Sequence, residues 1–348
     1  MRELLRELNV PTPRRIYEHL DRFVIGQDQA KKAVAIAAYN HRKRVLDRDS
    51  GNTLLKKSNM LLIGPTGCGK THIARNLAEV LGVPFTVVNA TEYTESGYYG
   101  KDVEVMVAEL LFKTGGDVEA TQRGIVFVDE IDKIARRGHG ARTGAGSRDI
   151  GGEGVPQALL KMMEGGELFV PLNVTQHWNK HDFVLVDTTD ILFICAGTFS
   201  DLNRGRHARG IGFGASAATS PGTEKDKRRV TLRDLEEYGL LAEFLGRLPV
   251  VVELHELDRG DLVRILTEPP DSLVTEYRAL LALDDIGVEV DPEGLDLVAG
   301  VALERHLGAR GVRAIFEEVF QEVMFNAPEL AGTTVRVDPD FVRERLAR

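Results

Sequence analysis

The sequence predicts an α/β protein built on a mainly parallel sheet. Two observations carry this. Five short, nearly all-apolar runs recur along the chain: Asn59–Ile63, Phe85–Val88, Ile125–Val128, Ile191–Cys195 and Pro249–Val252. Such runs, mostly rich in β-branched residues, suit strands buried on both faces better than half-exposed hairpins. Between them lie helical patterns. Ile73, Leu77, Val80 and Leu81 follow the i, i+4, i+7, i+8 spacing, and Val155, Ala158, Leu159 and Met162 repeat an amphipathic stripe. Strands alternating with helices predict a parallel sheet with helical crossovers.

The 348 residues predict about two domains at roughly 150 residues each. After about residue 255 the pattern changes. Asp258–Leu283 and Pro292–His306 read as helical. Gly308–Phe325 carries an apolar stripe at Val312, Ile315, Phe316, Val319, Phe320 and Val323, and Thr334–Val337 reads as a short closing strand. These features predict a large domain over residues 1–255 and a smaller, mainly helical one over 256–348, with a hinge near 253–260. Arg136–Gly154 and Asp201–Arg229 are Gly- and Arg-rich and fit no element. Long loops of this kind are usually functional or mobile.

Composition excludes several classes. Apolar residues are 43% and charged residues 28% of the chain, which is ordinary for a globular protein and unlike a disordered one. No apolar run is long enough for a membrane helix, and the charged N-terminus has no apolar signal core. The two cysteines, Cys68 and Cys195, lie far apart. A disulfide framework and a cysteine-rich zinc site are therefore not expected, and a reduced, cytoplasmic compartment is. The formal charge of −9 argues against a non-specific DNA coat, whose affinity comes from neutralised phosphates. Neither nucleic acid nor membrane is an expected partner.

Gly64-Pro65-Thr66-Gly67-Cys68-Gly69-Lys70-Thr71 matches G-x-x-x-x-G-K-[ST], directly after an apolar strand and at the start of a helical pattern. That is the context the motif needs. Glycines let successive backbone N–H groups curl around phosphate oxygens, and the helix N-terminus adds positive potential. Lys70 is expected to reach the β- and γ-phosphates of ATP and Thr71 to bind Mg²⁺. His72, next in the chain, joins the candidate nucleotide-binding set. Positive potential in the loop favours a thiolate at Cys68; the competing reading is a small filler between glycines.

Gly124–Glu130 reads GIVFVDE. A buried strand ending in two acids places both at the C-terminal edge of the sheet, beside the phosphate loop. Asp129 is the candidate Mg²⁺ ligand and Glu130 the candidate general base that polarises the attacking water. The competing reading is a cap cluster before Ile131–Ala135.

These motifs, together with the FVIGQDQAKKAVAIAAYNHRKR run, GYYG, GEGVPQALLK, ILFICAGTF, RGIGFGA, LLAEFLGRLPVVVEL and GARGVRAI, resemble the ClpX-type AAA+ unfoldases over roughly residues 10–340. The resemblance implies a P-loop AAA+ large domain with a small helical lid. It also implies a homohexameric ring that hydrolyses ATP and threads protein substrates through a central pore. In that family's terms Arg247 resembles the arginine finger, acting on a neighbouring subunit's γ-phosphate, and Arg310 the sensor-2 arginine. Thr198 resembles a sensor-1 polar group. Val24 and Ile25 resemble adenine-pocket residues, with core packing as the competing reading.

Tyr98 and Tyr99, inside Gly97–Gly100, resemble a substrate-gripping pore loop that usually reads Gly-Tyr-Val-Gly. Arg148–Gly154 resembles a second pore loop. Ile211, Gly212 and Phe213 resemble the loop that docks on the ClpP peptidase; an Ile–Phe pair in a polar, Gly-rich loop suits insertion into a partner pocket. Two departures stand out. The cysteines are too few for the family's N-terminal zinc domain, so Mg²⁺ is the expected metal. The pore-entrance segment reads Thr175-Gln176-His177-Trp178-Asn179-Lys180-His181 where the family shows Arg-Lys-His, which leaves tag recognition open.

Three functions remain in play: an ATP-driven unfoldase feeding ClpP, a remodelling chaperone with the same motor and no protease, and a nucleic-acid motor on the same core. The acidic balance counts against the last.

Overall fold

A computed structural model describes residues 10–51, 54–94, 101–135, 154–172, 183–200, 202, 229–305 and 308–347. Its contacts group into two units. The first comprises Met1–Pro11, Ile36–Gly64 and Leu81–Glu253, and the second Thr12–Ala35, Pro65–Val80 and Leu254–Arg348.

The first unit holds a five-stranded sheet. Its strands are β1 (Met60–Ile63), β2 (Phe85–Asn89), β3 (Ile125–Asp129), β6 (Leu192–Gly197) and β7 (Val250–Glu253), in the order β2-β3-β6-β1-β7. Every pairing is parallel. All five apolar runs become strands of this one sheet, each within two residues of the expected bounds. β1 and β6 are buried along their whole length, whereas the edge strand β2 alternates between buried and half-buried residues. Only inner strands are covered by neighbours on both sides, so only they need an unbroken apolar sequence. One face of the sheet, carrying Leu61, Val126, Val128, Phe193 and Cys195, shares a core with Met106, Val107, Leu110 and Leu111 of helix Val105–Lys113 and with Leu159 of helix Gly154–Glu164. Gly124 permits this packing: a Cβ there would lie 2.8 Å from Leu110 Cδ2 and 3.1 Å from the Pro84 carbonyl.

Two further strands, β4 (Glu167–Pro171) and β5 (Phe183–Asp187), form an antiparallel pair that no sequence pattern marks. Each strand buries only one residue fully, Val170 or Val186, and turns Phe169, Phe183 and Leu185 outward. This is neither the all-apolar run nor the clean alternation that marks a strand.

The second unit has its own core. Leu262, Leu266, Tyr277, Leu295, Val298 and the stripe Val312, Ile315, Phe316, Val319, Phe320 and Val323 are buried together. Tyr277, Phe316 and Phe320 stack with ring centroids 4.8–5.0 Å apart. The stretch read as helical over Asp258–Leu283 forms two helices, Arg259–Thr267 and Leu273–Ala282. Pro269 and Pro270 interrupt it, since proline supplies no N–H and clashes with the preceding turn. The Thr334–Val337 strand is present and pairs in parallel with Gly287–Val290, a strand not foreseen.

Lys57, just before β1, donates to the Thr188 carbonyl at 2.9 Å and lies 4.7 Å above the Phe193 ring. Burial, reinforced by Arg44, pushes its ammonium from 10.5 down to about 7. The unfolded chain therefore holds a proton that the folded chain releases, so this group makes stability rise with pH between about 7 and 10.5. A Lys57→Met variant lacks that dependence. Denaturant titrations are expected to show its advantage over wild type to be largest at or below pH 7 and to shrink by pH 9.

Candidate nucleotide site

Parallel pairing points all five C-terminal strand ends to one edge of the sheet. In register, Ile63 of β1 faces Gly197 of β6, and Asn89 of β2 faces Asp129 of β3. Gly64 opens the phosphate loop at that edge, its N–H donating to the Gly197 carbonyl at 3.2 Å. Asp129 and Glu130 leave β3 at the same edge. The loop strand and the acid strand are not hydrogen-bonded neighbours, because β6 runs between them.

The acid pair is held by local geometry. Glu130 has φ 58°, a left-handed conformation for a non-glycine residue. Such a residue costs about 1–3 kcal/mol and persists only where its surroundings determine it. Two bonds do so. The Glu130 N–H donates to Asp129 Oδ1 at 2.9 Å, and Asn89 Nδ2 donates to Glu130 Oε2 at 3.2 Å. Asn89 is itself oriented, because its Oδ1 accepts from the N–H and the hydroxyl of Thr91 at 3.0 and 2.8 Å. The chain thus turns sharply after β3 and presents the Glu130 carboxylate with one oxygen fixed.

Thr198 follows β6 at this edge. Its hydroxyl donates to Asp132 Oδ2 at 2.8 Å, and the Phe199 N–H reaches the same oxygen at 3.4 Å. The group expected to sense nucleotide is therefore engaged by a buried carboxylate three residues beyond Asp129.

In the second unit the phosphate loop takes left-handed backbone at Gly67 (φ 78°) and Gly69 (φ 99°) and runs into helix Lys70–Leu81. Lys70 is buried, with Nζ 2.9 Å from the Pro65 carbonyl. Amides at turned glycines, a helix start, an ammonium and the Thr71 hydroxyl form a donor set that fits phosphate. Asp129 offers a carboxylate, the kind of oxygen ligand that suits a hard divalent cation. Cys68 is 3% exposed, as the filler reading requires and a reactive thiolate does not.

Three further contacts gather around the loop. His72, next after the loop, has its Nε2 3.1 Å from the Phe23 carbonyl. A carbonyl only accepts, so that nitrogen carries the proton, and the ring pins the segment leading to Val24 and Ile25. Both of those residues are buried. Gln27, left-handed at φ 60°, exchanges two bonds with the His255 backbone at 2.8 and 3.1 Å and reaches the Cys68 carbonyl at 3.5 Å. The start of helix Gly308–Phe325 meets the loop through its backbone, with the Ala309 N–H 3.2 Å from the Gly67 carbonyl. Gly308 is required there: its φ is 56°, and a Cβ would lie 3.1 Å from Gly67 Cα. Arg310 follows two residues later and is exposed.

Arg247 ends the short turn after helix Ala242–Leu245 and is ion-paired with Glu164 of the same chain. Tyr98, Tyr99, Ile211, Gly212 and Phe213 lie outside the described residues, as do the second pore-loop segment, apart from Gly154, and the pore-entrance segment. Sequence reasoning missed Asn89, Asp132 and Gln27. Asn89 had a signal, a polar residue closing an apolar strand. Asp132 and Gln27 had none, because their partners are distant in sequence. Among the described residues no helix is long and apolar enough to cross a membrane.

A parallel sheet with a phosphate loop leaving one strand and an Asp-Glu pair leaving another defines a P-loop ATPase. Residues 55–251 match the family model described as AAA domain (Cdc48 subfamily). Proteins similar along nearly the whole chain include the "ATP-dependent Clp protease ATP-binding subunit ClpX 2" of Wolinella succinogenes, 42% identical over 96% of this chain and 82% of that protein. The ClpX subunits of Treponema denticola and Porphyromonas gingivalis are 41% and 40% identical, covering 93% and 98% of this chain and 79% and 84% of their own lengths. The chain belongs to the ClpX family of AAA ATPases.

Replacing Asn89 by Ala removes the amide that orients Glu130 while leaving the strands intact. One such hydrogen bond is worth about 0.5–1.5 kcal/mol. Steady-state phosphate release is expected to show a roughly two- to tenfold lower kcat with KM for ATP unchanged.

Proposed function

We propose that this ATPase is the motor of a protein unfoldase, working as a homohexamer and delivering unfolded chains to a ClpP-type peptidase. The observation that carries this reading is similarity at 40–42% identity to named Clp protease ATP-binding subunits along 93–98% of the chain. The intact phosphate loop and acid pair support it. So do the Tyr98–Tyr99 segment and the Ile211–Phe213 segment, whose residue types suit gripping an extended chain and filling a partner pocket.

In this reading the backbone amides of residues 64–71 and the Lys70 ammonium hold the phosphates of ATP, and Val24 and Ile25 flank the adenine. Thr71 and Asp129 are the ligands for Mg²⁺, which when bound neutralises charge on the β- and γ-phosphates. Glu130 accepts a proton from the attacking water. Its left-handed backbone and the Asn89 bond set the direction in which the carboxylate acts. Arg247 stabilises developing charge on a neighbouring subunit's nucleotide, and Arg310 reads the nucleotide from helix Gly308–Phe325. Residues 256–348 act as the lid of the 1–255 nucleotide-binding domain. Tyr98 and Tyr99 transmit the motor's strokes to substrate.

Glu130→Gln keeps shape and loses the base. It is expected to bind a fluorescent ATP analogue with unchanged affinity and to hydrolyse ATP about 10²–10⁴-fold more slowly; wild-type turnover contradicts the assignment. The whole reading is tested with a tagged, stably folded fluorescent protein. With ATP alone its fluorescence should fall, and peptides should form only when ClpP is added. Unfolding with no ClpP-dependent cleavage would instead identify a protease-independent remodelling chaperone.

A further inference from the structure

Arg247 is expected to act outside its own chain, yet its guanidinium is committed within it. Nη2 bonds Glu164 Oε1, and both side chains are about half exposed, at 49% and 42%. The main chain beneath them is far more constrained. The turn carrying Arg247 is closed by Gly246 N–H to Ala242 O at 2.9 Å, Arg247 N–H to Phe244 O at 3.0 Å and Leu248 N–H to Leu245 O at 3.0 Å. Phe244, Leu245 and Leu248 around it are buried.

Asn59 joins that turn to the helix that bears Glu164. This residue, 1% exposed, donates to the Arg247 carbonyl at 3.1 Å and to the Met163 carbonyl at 3.3 Å, and accepts from the Phe193 N–H at 3.2 Å. Gly165, at φ 96°, closes the helix, and a Cβ there would lie 2.8 Å from Thr189 Cα. The two backbones that carry the pair are therefore fixed against each other, while the charged ends remain in solvent.

Glu164 is also the last residue of its helix, where the helix dipole disfavours a carboxylate. Its position there is compensated by Arg247. The pair uses one of the five N–H groups of the guanidinium, and exposed pairs of this kind are weak. A phosphate chain offers charge-assisted, bidentate bonds to the same planar fork and outcompetes a single carboxylate contact.

We propose that Glu164 is a reversible latch. It holds Arg247 folded back on its own subunit and releases it when nucleotide is presented by a neighbour, with Asn59 keeping both partners in register. The latch rests on the reading of Arg247 as a finger that acts in trans. Glu164 is a positioning residue in this scheme and touches no nucleotide.

The test is a double-mutant cycle on the full-length chain, with ATP hydrolysis measured against ATP concentration. Arg247→Ala should abolish most turnover. Glu164→Ala removes the competitor for the guanidinium and should raise kcat/KM about two- to fivefold, the range of an exposed ion pair. Glu164→Gln, which keeps the size and loses the charge, should move it the same way. In the Arg247→Ala background, Glu164→Ala should change nothing. A merely structural carboxylate would instead lower activity, and by the same factor in both backgrounds. If Arg247→Ala is inactive while Glu164→Ala leaves kcat/KM unchanged or lowers it, the latch is overturned and the finger stands. If Arg247→Ala retains wild-type turnover, the finger reading fails and the latch fails with it.

Discussion

Parallel hydrogen bonding in one five-stranded sheet is the constraint on which the site depends. Because every strand of the order β2-β3-β6-β1-β7 runs the same way, the residues that follow β1, β3 and β6 emerge on one edge. Gly64, the Asp129–Glu130 pair and Thr198 are brought together by register alone, though they are separated in the chain by some of its longest connections. Reversing any one strand would carry its functional end to the opposite edge. The buried, apolar character of the inner strands is thus a requirement of function as well as of stability, since sheets that are parallel throughout are mostly covered on both faces.

In both units, polar side chains bond to backbone groups and to one another as joints between distant segments. Asn89 orients Glu130, Asp132 takes the Thr198 hydroxyl, Gln27 pairs with the His255 backbone and Asn59 links three segments. Three of these side chains, those of Asn59, Asp132 and Gln27, are buried, where an unpaired polar group is costly, so each is a fixed joint rather than a loose contact. Left-handed residues accompany them at Gln27, Glu130 and Phe199. Strained backbone held by buried polar joints is the pattern expected where the chain has to present a group in one direction. The Glu164–Arg247 pair is the opposite case, with rigid main chain below and weak, solvated charges above.

Much of this was legible in the residues. Each apolar run became a strand of one sheet, the Gly308–Phe325 stripe became the core of the second unit, and the phosphate loop lies between strand and helix as its spacing requires. The misreadings have identifiable causes. A helix pattern across Asp258–Leu283 hid the break at Pro269–Pro270, because the apolar spacing resumes in phase after it. The antiparallel strands Glu167–Pro171 and Phe183–Asp187 were invisible, because their outward face is largely apolar and erases the alternation that marks a strand.

By itself the sequence determined what repeats locally or is spelled out in consecutive residues. Those are the strand and helix periods, the Gly-rich loop whose amides have to curl, and the two acids at the end of a buried strand. Only the tertiary structure decided strand order, the insertion of β6 between β1 and β3, and the partners of Asn89, Asp132, Gln27 and Glu164. The reason is physical. Periodicity records which face of an element is buried, and that is a property of neighbours in the chain. A single hydrogen bond between residues such as Asn59 and Arg247 leaves no period behind.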